Sequence, residues 1–398
     1  MVVDLAQGRV TTGAEVDRFV GIEALELGNR VDLVYANKAG FGVDLSDGND
    51  RLIGMAGSSM YIGGDSNDTL DLSQFKTPVA VFLDAFSMRV GLNSAQVREF
   101  ETVLGALVSA NMIYSGAENN LFRGGAFADE LHGGFGVNTL YGANGNDRLI
   151  GGDSMDSLYG GVGNDLLRGG GYRDTLDGSF GDDQLFGGDC DDMLFGGAGN
   201  DYILTSASNE GPRSRFGMDE AYGGDGNNRL VAQCYDFVRI YGGSGNDTLI
   251  LNGFGRVTLE AGLNGFEKVI FATDEYQVVS MKISNYRLDL GAGDDQVTLT
   301  GASNYNLVNV GAGNNTVNLM SGHHDTFFAG TGADHIALMG TSGAGSVIDS
   351  GAGNDLWISI RRSIISAVWA EILCRSRRRS RRMRRELASL FRGIPWAI

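Results

Sequence analysis

The sequence holds only 3 cysteines, 3 prolines, 4 histidines and 3 tryptophans in 398 residues, and each scarcity excludes something. Cys190, Cys234 and Cys374 stand far apart without metal-ligand spacing, so neither a disulfide framework nor a zinc site is indicated. With so little proline beside 62 glycines, the chain is neither collagen-like nor a proline-rich linker, and its glycine segments keep their backbone N–H donors. The one histidine cluster, His323, His324 and Asp325, reads as a solvated turn; with His132 and His335 it supplies no HExxH helix. No stretch of 18 apolar residues occurs, and MVVDLAQGRV lacks a basic segment followed by an apolar core. Neither a membrane span nor a cleaved signal peptide is expected. No G-x-S-x-G elbow, P-loop or dinucleotide fingerprint stands in its proper context. The pairs Asp182–Asp183 and Asp191–Asp192 follow a nine-residue spacing that acid–base catalysis does not explain, so no intrinsic enzyme activity is expected.

Positive charge is also scarce until the end of the chain. The formal net charge is −18; residues 361–398 carry eleven arginines against Glu371 and Glu386, which is +9 and leaves −27 for residues 1–360. A body so acidic repels nucleic acid and anionic membrane and attracts cations.

What the chain has in abundance is a repeat. A nine-residue register runs unbroken from Gly124 to Leu204. Taking GGVGNDLLR (residues 160–168) as the unit, position six carries Asp129, Asn138, Asp147, Asp156, Asp165, Asp174, Asp183, Asp192 and Asp201. Position eight is always apolar: Leu131, Leu140, Leu149, Leu158, Leu167, Leu176, Leu185, Leu194 and Ile203. Paired glycines permit the positive φ angles of a tight turn. The last three residues of each unit then form a strand whose middle residue points inward. Two repeats, 18 residues, make one coil, and coils stacked about 4.8 Å apart place position six over position six in two columns. Facing carboxylates at that distance repel by about 3 kcal/mol at an effective dielectric near 20. A cation between them is required, and calcium, with six to eight oxygens in flexible geometry, suits two aspartates plus turn carbonyls better than magnesium does.

These repeats resemble the RTX (repeats-in-toxin) family, whose G-G-x-G-x-D-x-U-x unit binds calcium in a β-helix. The resemblance implies an all-β, right-handed parallel β-roll or β-helix solenoid. It implies calcium held between successive turns by position-six aspartates and backbone carbonyls, and export by a type I secretion system, so that the chain is secreted to the extracellular space or cell surface. The metal-site residues expected in the main block are Gly125, Asp129, Gly145, Asp147, Gly152, Asp156, Gly161, Gly163, Asp165, Gly170, Asp174, Gly181, Asp183, Gly188, Asp192, Gly197, Gly199 and Asp201, with residue 143 left unassigned. Outside that block they are Asp50, Asp68, Asp247, Asp295, Asp334 and Asp355.

The remaining segments divide by pattern. Residues 1–44 form a β spacer, 45–78 a short nonapeptide block with Asp50 and Asp68 separated by Ser59, and 79–114 a second spacer. The spacers are related: residues 3–23 match 81–101 at a 78-residue offset, and a degenerate third copy begins at Val257. Because the first copy begins almost at Met1, the chain reads as part of a longer protein. The main block occupies 115–204, and 205–287 is irregular β with two further repeats around Asn228 and Asp247. Residues 288–360 form coils of about 20 residues with Asp295, Asn315, Asp334 and Asp355 in one column, the opposite turns GASNYN, SGHHDT and TSGAGS being degenerate. The tail, 361–398, breaks every pattern, as a shifted reading frame would, and does not resemble the secretion signal expected of the family; binding of RSRRRSRRMRR to nucleic acid or acidic lipid stays open. Two other function classes stay open for the whole: a carbohydrate-binding or carbohydrate-modifying parallel β-helix over residues 216–360, and an adhesin or surface-layer spacer. Polysaccharide or the cell surface would then be the partner.

Overall fold

The computed structural model describes residues 1–54, 57, 59–205, 219–233, 239–252, 255–259, 266–271, 277–281, 287–299, 305–319, 324–339 and 346–360. The tail beyond 360 and most of the third spacer copy lie outside the described residues. Every regular element described is a β-strand, which makes the chain an all-β solenoid. Among the described residues no helix is long and apolar enough to cross a membrane. The chain divides into two compact units, Met1–Val231 with Asp236–Asp247, and Ala232–Tyr235 with Thr248–Ile398.

In the main nonapeptide block of the first unit, the glycine turns reverse the chain every nine residues, so each strand pairs in parallel with the next but one. Leu158 lies beside Leu176 and Leu167 beside Leu185, the 18-residue register that two repeats per coil require. Strands Thr139–Asn144, Ser157–Val162, Thr175–Phe180 and Met193–Ala198 build one sheet, and Arg148–Gly152, Leu166–Gly170 and Gln184–Gly188 the other. The position-eight residues from Leu131 to Ile203 are all 0% exposed and form the core.

The strands are longer than the three residues read from the sequence. They span five or six, as in Leu166–Gly170 and Ser157–Val162, and alternate so that position one is buried as well as position eight. The cause lies at the position-one glycine: its φ is not left-handed, so it continues the strand, and a Cβ on Gly160 would lie only 2.3 Å from Asp165 Oδ2. Glycine is there to leave room for the carboxylate.

Both described spacers fold into antiparallel three-stranded meanders, Val2–Asp4, Arg9–Thr12, Glu15–Arg18 and Val79–Phe82, Ser87–Val90, Asn93–Arg98. The internal duplication is therefore structural as well as sequential. In the second unit, Gly255–Leu259, Gln277–Met281, Gln296–Leu299, Thr316–Leu319, His335–Met339 and Leu356–Ile360 form a six-stranded parallel sheet. Arg287–Asp289, Leu307–Asn309, Thr326–Phe328 and Val347–Asp349 pair in parallel in another, and Val297, Val308, Val317 and Ile348 are buried.

Candidate metal centre

Each position-six residue ends a turn and stands just before a strand, so its side chain is aimed along the solenoid at the coil before it. The Asp147 N–H donates to Asp165 Oδ1 at 2.7 Å, Asp165 N–H to Asp183 Oδ1 at 2.7 Å, and Asp183 N–H to Asp201 Oδ1 at 2.9 Å. The other column repeats this: Asp156 N–H donates to Asp174 Oδ1 at 2.8 Å and Asp174 N–H to Asp192 Oδ1 at 2.9 Å. One carboxylate oxygen per residue therefore belongs to the backbone ladder.

The second oxygen has no such partner. Oδ2 of Asp50, Asp68, Asp129, Asp147, Asp156, Asp165, Asp174, Asp183, Asp192, Asp201 and Asp334 is buried without a hydrogen-bond donor. A buried unpaired carboxylate oxygen is costly. What stands beside it is shown by the turns in which position six is asparagine. Asn138 accepts the Asn120 N–H through Oδ1, just as the aspartates do, and its Nδ2 donates to the Gly136 carbonyl at 2.8 Å. Asn315 Nδ2 likewise donates to Gly313 O at 3.2 Å, and Asn111 Nδ2 to Ser109 O at 3.1 Å. Each acceptor is the position-four carbonyl of the same turn. Where aspartate replaces asparagine, an oxygen takes the place of the donating amide nitrogen, so the donor's part falls to a proton on the carboxyl or to a cation.

Carbonyls are concentrated in these turns. A Cβ on Gly161, at position two, would lie 2.0 Å from Ala143 O, and one on Gly163, at position four, 1.6 Å from Gly145 O. Carbonyls of one coil thus press against glycine Cα atoms of the next, and the spaces fit an ion bound by carboxylate and carbonyl oxygens. Among the described residues no three His, Cys, Asp or Glu side chains converge on one point, so carbonyls must complete any coordination sphere.

Burial raises the carboxyls in the absence of metal. Asp129, Asp156 and Asp165 rise from an ordinary 3.8 to about 6, and Asp147, Asp183 and Asp201 to about 7. Asp174 rises to about 8 and Asp192 to about 9, desolvation leading in each and the neighbouring aspartates adding to it.

The two columns differ in their turns. Before Asp147, Asp165, Asp183 and Asp201, position four is Gly145, Gly163, Gly181 and Gly199, with φ of 132, 136, 126 and 142°. In the other column Tyr172 and Cys190 take φ of 71 and 80°, and Ser154 avoids the left-handed region altogether. Of the remaining glycines expected at the site, Gly152, Gly161, Gly170, Gly188 and Gly197 have left-handed φ, whereas Gly125 does not. The first column also carries a second ladder at position five, where Asn164 N–H donates to Asn146 Oδ1 and Asp182 N–H to Asn164 Oδ1, at 2.9 and 3.0 Å. Met155 and Arg173 occupy that position in the other.

The columns run on outside the main block, through residues singled out for them in the sequence and through others, Asp32, Asp219, Asn306, Asp325 and Ser346, that were not. Asp201 N–H donates to Asn228 Oδ1 and Asn228 N–H to Asp247 Oδ1, continuing the first column. Asp192 N–H donates to Asp219 Oδ1 across 27 residues, a link hidden by the broken period. Asp50 N–H meets Asp68 Oδ1, and Asp32 N–H meets Asp50 Oδ1. In the second unit Asp295 N–H reaches Asn315, Asn315 reaches Asp334, and Asp334 reaches Asp355 at 3.2 Å. The turns opposite, degenerate in sequence, nevertheless hold a column of Asn306, Asp325 and Ser346. The signal available for it was a polar residue immediately before each apolar strand.

The model of the RTX calcium-binding nonapeptide repeat (4 copies) matches this chain at residues 44–74, 114–149, 141–171, 168–203 and 237–254. Those segments are RTX calcium-binding repeats, and the parallel solenoid they build is a β-roll. No curated protein matches the chain.

Proposed function

We propose that this chain is the calcium-loaded β-roll region of a secreted protein, holding several ions along both columns and completing its fold when it meets millimolar calcium outside the cell. The observation that carries this reading is the row of buried, donorless Oδ2 atoms in register with turn carbonyls. Asp147, Asp165 and Asp183, with carbonyls of positions two and four, would hold ions in the better-formed column, each interior aspartate serving the sites on both sides. The ion supplies the positive charge that the turns lack, and binding to the folded state alone makes each ion a contribution to stability. The role is binding and structural rather than catalytic, with type I export as the route. The stacked rings on the solenoid face favour this over a sugar platform: Tyr141–Tyr159 and Tyr222–Tyr241 lie 4.8 and 4.9 Å apart at 10 and 6°, so ring faces are taken up by one another. Circular dichroism of the chain in chelator and then in millimolar calcium tests the reading. A gain of β signal on adding calcium is expected, and identical spectra would overturn it.

A further inference from the structure

Residues 75–113, between two matched segments, contain no nonapeptide repeat, yet the column of carboxylates does not stop there. Asp68 N–H donates to Glu101 Oε2 at 2.7 Å, the bond that a position-six aspartate accepts elsewhere. The main chain agrees: Thr102 N–H donates to Asp68 O and Leu121 N–H to Glu101 O, at 2.9 and 2.7 Å. This is the pattern by which Thr139 N–H meets Asn120 O and Ser157 N–H meets Asn138 O in the regular coils. Glu101 thus occupies position six by backbone and by side chain, although its strand, Thr102–Leu104, follows an antiparallel spacer rather than a glycine turn.

The surroundings are those of the other sites. Asp68 is 0% exposed, and its Oδ2 is buried without a donor. Glu99, two residues before Glu101 and so at position four, adopts a left-handed φ of 60°, close to the 71 and 80° of Tyr172 and Cys190 at that position. Its carbonyl oxygen lies 1.7 Å from where a Cβ on Gly63 would be, and Ser46 O lies 2.1 Å from the same point on Gly64. Two carboxylates, an orphaned oxygen and inward carbonyls therefore meet at the seam.

We propose that Glu101 is a metal ligand: with Asp68 and turn carbonyls it holds a calcium ion that joins the 44–74 block to the block from 114, making one column from Asp50 to Asp192. This rests on the calcium reading above and adds a glutamate from a spacer that the repeat pattern does not supply.

The test is the number of ions bound by the full chain in equilibrium dialysis with radioactive calcium, for the wild type, Glu101→Gln, Asp68→Asn, the double variant and Asp165→Asn. Glutamine keeps the acceptor for the Asp68 N–H and removes only charge, so Glu101→Gln should fold and bind one ion fewer. Asp68→Asn, which also borders the Asp50 turn, should lose at least that ion, and the double variant should bind no fewer than Asp68→Asn alone. Loss in Asp165→Asn with none in Glu101→Gln would overturn the proposal and leave the calcium reading standing. No calcium bound by the wild type would overturn both.

Discussion

Replacing Asp165 by asparagine should have opposite effects in the two metal states. In the calcium-free chain the Asp165 carboxyl is buried, 2% exposed, and raised from 3.8 to about 6 by desolvation, so its ionised form costs the fold about 3 kcal/mol at neutral pH. Asparagine removes that charge and keeps Oδ1 as the acceptor for the Asp147 N–H. Its new Nδ2 would donate to the Gly163 carbonyl, as Asn138 does to Gly136. Asp165→Asn should therefore stabilise the chelated state by about 1–3 kcal/mol, the range for satisfying a buried polar group. In calcium the same change removes a charged ligand shared by two sites, and affinity there should fall at least tenfold, about 1.4 kcal/mol per site. Urea melts in chelator and in saturating calcium, together with calcium titrations, read both effects. Asp174→Asn should shift the calcium midpoint less, because around it Ser154, Tyr172 and Cys190 stand in place of position-four glycine and Met155 and Arg173 interrupt the position-five ladder. Destabilisation by Asp165→Asn in chelator would refute the view that an amide substitutes for the ion, and equal calcium shifts for the two variants would refute the ranking of the columns.

The raised carboxyls also set a pH dependence. Because their folded values, from about 6 for Asp165 to about 9 for Asp192, lie above the unfolded 3.8, their contribution is fully present below 3.8 and is lost as pH rises through the folded values. In chelator, β structure should grow as pH falls from about 9 to 5, and in calcium the binding midpoint should rise over the same window; circular dichroism and calcium titration at several pH values check both. Gly160→Ala should cost about 1–3 kcal/mol and weaken calcium binding, since its Cβ would meet Asp165 Oδ2 at 2.3 Å, whereas Gly171→Ala, with nothing nearer than 3.9 Å, should be near neutral in thermal melts. Deleting residues 361–398, which contain no turn glycines in register, should leave the calcium-dependent melting temperature unchanged in differential scanning calorimetry.

The solenoid was legible because its two determinants are local and periodic: an apolar residue every nine positions and an acid two positions before it. Register, core and both columns of the main block follow from that spacing alone. Two things could not be read. Position one needed coordinates, because glycine there has ordinary backbone angles and serves only to leave space for Oδ2 of Asp165 or its equivalents. Column members after an irregular insertion, such as Asp219, or carried by a spacer, such as Glu101, were hidden because their neighbours in space lie 27 and 33 residues away rather than 18.

The mixture of asparagine and aspartate at position six gives the columns a polarity. Asn111, Asn120 and Asn138 stand at the start of the main block, and their amides donate to backbone carbonyls of the turns without help from any ion. From Asp147 to Asp201 every position-six residue is aspartate, and every one leaves Oδ2 without a donor. Within the main block, the coils richest in asparagine thus come first, with Asp129 among them, and the all-aspartate coils follow. A stacked array folds by adding coils to an existing one, since each strand needs its neighbour's N–H and carbonyl groups before it gains anything for its lost entropy. On the calcium reading proposed above, the asparagine coils would present such an edge before calcium arrives, and Asp147, Asp156 and their successors would close on it as ions neutralise the charge between them.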